Sequence, residues 1–245
     1  MKIFSVFALL ILLLSINSFA QKGPAAKAVP EKTVTAVEST PLELAKAAVV
    51  AHGGDKLKNL KSLLLRGSVE VNGGSSMMTI PATFMLAISG DKYVFELNNP
   101  IQPLKQISDG KDTSSSGYQL PPMTSLGFPL LMRVGQTGYV VASLPEATKN
   151  KKGFRITTAE GFYTDFFVDE KTRQIKGYES AYDVDGRTAT TSVEIDEFQT
   201  VEGVIVPKRY SQRFDLGQIT AYANFKTKDI LVNSQIEDSV FAISK

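Results

Sequence analysis

The chain has a single imidazole, His52, so any general base working near neutral pH would have to be that residue. A hydrolase would also need a nucleophile beside it, and no Gly-x-Ser-x-Gly elbow occurs. His52 stands at the end of a predicted helix, just before Gly53-Gly54, where a partial positive charge suits the helix dipole. That structural role is the preferred reading, and a hydrolase built on His52 ranks last among the functions considered. Ser108 and Lys111 match Ser-x-x-Lys, but the pair spans a turn. The catalytic version needs both residues on one helical face, one turn apart, so the match is read as chance. Asp183-Val184-Asp185-Gly186, with Glu194 at the twelfth position, resembles the start of a calcium loop. Its sixth position holds Thr188 where a sharp turn needs Gly, and its fifth holds the cation Arg187. An Asp-Gly hairpin turn is the simpler reading. On a strand, Glu194 and Asp196 share a face while Glu197 points away. Two such carboxylates are read as a solvated face.

Composition removes other chemistry. The 245 residues contain no Cys, so disulfides, thiolate metal sites, Cys nucleophiles and a lipid-modified Cys anchor are all excluded. One His leaves no multi-His metal cage. No phosphate loop, dinucleotide fingerprint or zincin motif occurs. With a net charge of +2 and no basic block, the chain offers nucleic acid no footprint. The expectation is a non-enzyme with no metal and no cofactor.

What remains is apolar. Met77, Met78, Ile80, Phe84, Met85 and Leu86 fall within ten residues and are followed by Tyr93 and Phe95. Further apolar groups lie at 128–132 and at Phe162, Tyr163, Phe166 and Phe167. Plain core is the default for such residues. Methionine tilts the reading toward a ligand, because a thioether adapts to varied apolar shapes. The candidate ligand-binding residues are Met78, Ile80, Phe84, Leu86, Tyr93 and Phe95.

Periodicity supplies the elements that would position them. Thr40-Pro41-Leu42-Glu43 reads as a capping box opening a helix over 41–51, with Leu42, Ala45, Val49 and Val50 on one side. Residues 55–60 form a second short helical turn. The period then changes from 3.6 to 2. Leu63, Leu65, Gly67, Val69 and Val71 share one strand face. Met78, Ile80, Ala82, Phe84, Leu86 and Ile88 share the next, and Tyr93, Phe95 and Leu97 the one after. Since both faces of 78–86 carry apolar groups, that strand is expected to be covered on both sides, by a helix on one and by core or ligand on the other. A short strand over 106–108 ends at Asp109-Gly110. Residues 111–122 read as a polar loop and 123–134 as a helix broken by Gly127 and Pro129. Residues 139–144 fit a strand or a helix equally. Strands near 154–158, 162–168, 174–182, 187–198, 203–214 and 217–229 then alternate with turns in a regular meander.

The N-terminus carries an address. MKIFSVFALLILLLSINSFA has a positive start at Lys2, nine unbroken apolar residues at 6–14, and small residues at Ser18 and Ala20. This is the pattern of a secretory signal peptide over 1–20; the apolar run is far short of the ~20 residues a membrane-spanning helix needs. No later stretch is long and apolar enough to span. Residues 21–40, rich in Ala, Pro, Lys and Thr, read as a flexible leader, and 41–245 as one domain. The expected protein is exported, to the periplasm if the cell is Gram-negative.

Several segments together resemble a family. Ala51-His-Gly-Gly-Asp-Lys-Leu-Lys-Asn-Leu-Lys-Ser-Leu, running into the strand at 64–71, looks like the opening of periplasmic proteins related to the outer-membrane lipoprotein carrier, the LolA-like family. The stretch 169–177 (DEKTRQIKG) resembles that family's D-x-x-T hairpin. The stretch 197–207 (EFQTVEGVIVP) resembles its f-x-x-v-x-G-v-x-x-P hairpin, and 233–241 (NSQIEDSVF) its closing segment. Residues 111–150 depart most from the pattern. The resemblance implies a mainly β fold with a few helices: a half-open, strongly curved antiparallel β-barrel whose open side the helices cover. It also implies an apolar cavity for lipid or lipoprotein acyl chains, as in outer-membrane lipoprotein sorting, with envelope proteins as possible partners. The meander fits that shape on its own terms. The leading function is therefore non-enzymatic binding or transport of a lipophilic ligand. The alternative is a structural or partner-binding envelope protein whose curved sheet is filled by its own side chains.

Overall fold

Strand β1 (Ser62–Gly73) lies between β2 (Thr79–Ser89) and the last strand of the chain, β12 (Ile219–Val232), and is antiparallel to both. From β1 the chain continues through β3 (Lys92–Asn98), β4 (Leu104–Ser108) and β5 (Thr113–Ser116) to one edge. It resumes at the other edge with β6 (Val140–Ala142) and returns through β7 (Gly153–Thr157), β8 (Tyr163–Val168), β9 (Ile175–Val184), β10 (Arg187–Val201) and β11 (Val204–Leu216). The result is a single 12-stranded antiparallel sheet in the order β5-β4-β3-β2-β1-β12-β11-β10-β9-β8-β7-β6, left open between β5 and β6. This computed structural model describes residues 39–73, 79–101, 103–116, 120–148, 150–184 and 186–243.

Every hairpin is local, and among the described residues only the β1–β12 strand pairing joins distant parts of the chain. It brings Val69 opposite Phe225 and Val71 opposite Ala223. Gly67 sits at the bulge in this pairing, with Phe84 opposite it on β2. An added Cβ at Gly67 would lie 2.1 Å from the Lys226 carbonyl oxygen, so only glycine allows the strands to close there.

Helix α1 (Pro41–Ala51) has the expected capping box. Glu43 N–H donates to Thr40 Oγ1 at 3.3 Å, and Thr40 N–H donates to Glu43 Oε2 at 2.9 Å. Its buried stripe is Leu44, Ala45, Ala48 and Val49: Ala45 and Val49 lie on it as expected, whereas Leu42 and Val50 face outward. The true stripe keeps the i, i+1, i+4, i+5 spacing of one helical face, whereas Val50 falls nearly opposite Ala48. Alpha-helix α2 (Asp55–Lys58) buries Leu57. Helix α1 packs on β6, β7 and a 3₁₀ turn at Phe128–Arg133, which α2 also touches.

The segment with no clear pattern contains both edges of the sheet. Residues 113–116, expected as loop, form β5, and residues 140–142 form β6. Ser and Thr suffice for an edge strand, because it pairs on one side only and needs no buried face. Residues 123–134 form two 3₁₀ turns, Met123–Ser125 and Phe128–Arg133, separated at Gly127. The core lies between the concave face of the sheet and these covering pieces. A smaller cluster of Ala87, Val94 and Ile107 occupies the opposite face, under Phe241 of the closing 3₁₀ turn Asp238–Phe241. Strand β2 is thus covered on both sides at its β3-proximal end, by the chain terminus and not by a helix.

Candidate functional site

Alternation sends one set of side chains from every central strand to the concave face. Leu63 and Leu65 come from β1, Leu86 from β2, and Phe95 and Leu97 from β3. Across the β1–β12 seam the set continues with Phe225, Tyr210, Val193 and Tyr178. Tyr210 stacks on Phe225 with ring centroids 4.6 Å apart. These residues enclose a cavity of about 330 Å³. That is within the size range of small-molecule sites, at its lower end. Its cover is the chain between the two edge strands, through Leu120, Met123, Leu126, Phe128 and Pro129.

Polar contacts tie the cover down on both sides of the gap. On the β4 side, the fully buried Gln106 donates from Nε2 to the carbonyl of Leu120 at 2.7 Å and to that of Pro121 at 3.3 Å. On the β8 side, Gly127 N–H donates to Thr164 Oγ1 at 3.0 Å. The Tyr178 ring lies so close to Gly127 that an added Cβ would come within 2.8 Å of it. Burial pushes the hydroxyl of Tyr178 well above the ordinary tyrosine range and does the same to Tyr210. Tyr182 is pushed up to about 12 by burial alone. Among the described residues that line the cavity, none is Asp, Glu, Lys, Arg or His.

The six residues singled out from the sequence divide among several places. Leu86 and Phe95 are cross-strand partners on the cavity wall. Phe84 shares their face but lies behind the wall, 3% exposed and edge-on to Phe225 at 5.1 Å. Tyr93 is buried opposite Ser108, and Ile80 is half-buried opposite Val71, both outside the wall. Met78 lies outside the described residues. Much of the wall comes from β9 to β12. Its signal was present in the alternation of Tyr210, Gln212 and Phe214 and of Ala221, Ala223 and Phe225. What the sequence did not show is that β12 pairs with β1 and so faces Leu86 and Phe95.

The polar candidates have structural partners. Both ring nitrogens of His52 are occupied by backbone: Nε2 accepts from Ile175 N–H at 2.9 Å, and Nδ1 lies 2.8 Å from the Ile205 carbonyl, to which it donates. Among the described residues no Ser or Asp bonds it, and its ring is flanked edge-on by Phe128 and Phe198. Ser108 Oγ donates to the Asp112 carbonyl and accepts from Gly110 N–H, which pins a turn. Asp183 Oδ1 accepts from Gly186 N–H at 2.9 Å, as in a hairpin turn; Asp185 lies outside the described residues. Glu194 and Asp196 are exposed, and Glu197 pairs with Lys208 and Arg209. Among the described residues no group of three or more His, Cys, Asp or Glu could hold a metal ion, and no helix is long and apolar enough to cross a membrane.

No protein-family model matches the chain, and no curated protein matches it significantly in sequence. It is similar to several solved structures. A DUF1329 family protein from Desulfovibrio piger aligns with a TM-score of 0.49 and 10% identity, covering 83% of this chain and 98% of that one. A LolA superfamily protein from Nitrosomonas europaea aligns with a TM-score of 0.49 and 12% identity, covering 80% and 97%. A putative outer membrane lipoprotein-sorting protein domain from Vibrio parahaemolyticus aligns with a TM-score of 0.43 and 12% identity, covering 82% and 95%.

Proposed function

We propose that this chain is an exported, non-enzymatic carrier that holds a lipophilic ligand in the cavity between its curved sheet and the segment joining β5 to β6. One observation carries the reading: a cavity of about 330 Å³ walled by Leu86, Phe95, Phe128, Tyr210 and Phe225, with no charged residue among the described residues lining it. Each methylene moved from water into such a wall gains about 0.8 kcal/mol, so an acyl chain needs no chemistry to be held. The polar groups that could have served catalysis are instead bonded to backbone or exposed to water. A sheet filled by its own side chains would leave no such space. The signal-peptide pattern at 1–20 and the LolA-like motifs support the same reading from the sequence.

The test is native mass spectrometry of protein purified from its own envelope without added detergent. A bound species of lipid mass, removable by organic extraction, is the expected result. Protein that emerges empty and fails to bind an apolar fluorophore would remove the carrier reading and leave a scaffold.

A further inference from the structure

The concave face is not uniformly apolar. On adjacent strands, Thr164 of β8, Ser180 of β9, Thr191 of β10 and Gln212 of β11 form a polar row, and the last three of these line the cavity. Thr164 Oγ1 and Ser180 Oγ are 2.9 Å apart. Gln212 Nε2 donates to Thr191 Oγ1 at 2.8 Å, and Thr191 Oγ1 donates onward to the Arg213 carbonyl at 3.2 Å. This chain of donors orients the Gln212 amide and leaves its Oε1 without a partner among the described residues. The hydroxyl of Tyr182, also on the wall, has no partner among them either. An acceptor and a donor–acceptor therefore face a half-open, largely apolar space with no countercharge among the described residues lining it. A carboxylate or phosphate drawn in would lose its hydration uncompensated, whereas a hydroxyl would find partners.

Resting on the carrier reading, we propose that the cavity takes one single-chain amphiphile whose polar end is uncharged and bears a hydroxyl, such as a fatty alcohol or a monoacylglycerol, seated on Gln212 or Tyr182. The volume agrees with one chain. A cavity of about 330 Å³, at the small end of ligand sites, suits one slender chain better than a bulky ligand.

The experiment is displacement of the uncharged fluorophore N-phenylnaphthylamine from the delipidated protein by dodecanol, monolauroylglycerol and laurate at about pH 8, where a carboxylate is ionised. Dodecanol and monolauroylglycerol are expected to bind about tenfold or more tighter than laurate. Gln212→Leu is expected to weaken dodecanol roughly three- to tenfold more than it weakens the fluorophore, which has no hydroxyl. Tyr182→Phe makes the same comparison if Gln212→Leu does not fold. Laurate binding as tightly as dodecanol, or dodecanol indifferent to both substitutions, would overturn this inference while the carrier reading stands. Failure of the fluorophore and of every amphiphile to bind would overturn both.

Discussion

The Nε2 atom of His52 accepts the backbone N–H of Ile175 at 2.9 Å, across 123 residues of sequence. Nδ1 reaches the Ile205 carbonyl, and Ile205 N–H returns a bond to the His52 carbonyl at 3.1 Å. One imidazole thus ties the end of α1 to the start of β9 and of β11. Because Nε2 accepts and Nδ1 donates, the ring is neutral with its proton on Nδ1.

His52→Leu should therefore destabilise the fold without touching ligand affinity. It leaves one buried N–H and one carbonyl unpaired, at about 1–3 kcal/mol each. Urea denaturation measures the loss; an unchanged midpoint would mean that water or a local shift satisfies both groups.

The same ring makes stability depend on pH in a defined window. Burial holds the pKa of His52 below its ordinary 6.5, opposed only in part by the Ile205 carbonyl. The unfolded chain thus binds a proton that the folded one refuses. Stability is fully present above about pH 6.5 and falls as pH drops below it, by at most about 1.4 kcal/mol per pH unit. Glu43, Asp109, Asp169, Glu197 and Asp215 have lowered pKa values through hydrogen bonds, so their contributions are present above the ordinary carboxylate range and fade only below it. His52 is the chain's single histidine, so a slope between about pH 5 and 6.5 should vanish in His52→Gln. A slope that persists in the variant would assign it elsewhere.

Gly203→Val should cost roughly 1–2 kcal/mol. Val201 and Val204 pair across a two-residue turn in which Glu202 and Gly203 have φ of 52° and 83°. A β-branched residue resists that conformation. The turn also backs onto the glycines between α1 and α2: a Cβ at Gly53 would lie 2.6 Å from the Gly203 carbonyl oxygen. Thermal unfolding of the variant at the wild-type midpoint would place the turn's strain elsewhere.

If the cavity is a ligand site, Phe95→Ala should lower the affinity for an acyl chain yet cost less stability than Phe154→Ala. Phe154 is fully buried against Phe166, and such a truncation costs about 3–5 kcal/mol. Phe95 is half-buried and already borders empty space. Equal losses of stability, with affinity untouched, would identify Phe95 as plain core.

Residues 21–39 are expected to be dispensable. Their composition offers little to bury, and the cap of α1 begins at Thr40. Deleting them should leave Tm within about a degree or two. A larger drop in calorimetry would show that the segment docks on the fold.

The local elements were legible because each is set by neighbours in sequence. Thr40 and Glu43 cap α1, Asp169 accepts from Lys171 N–H and Thr172 N–H in its turn, and the alternation of β1, β2 and β3 places Leu65, Leu86 and Phe95 on one face. Composition likewise excluded cysteine and multi-histidine chemistry without any coordinates. The tertiary structure decided what depends on long-range closure. Period-2 patterns say which residues share a face but not which strands meet, so the β1–β12 seam that brings Tyr178, Tyr210 and Phe225 into one wall with Leu86 and Phe95 was invisible. Edge strand β5 escaped because its Thr and Ser residues carry no apolar pattern, β6 stayed open between strand and helix because three residues set no period, and the α1 stripe was half misread because Leu42 and Val50 are apolar yet exposed. His52 shows the division most clearly. Its place at a helix end was written in the sequence, but the two backbone groups that make it a neutral strut come from strands more than a hundred residues away.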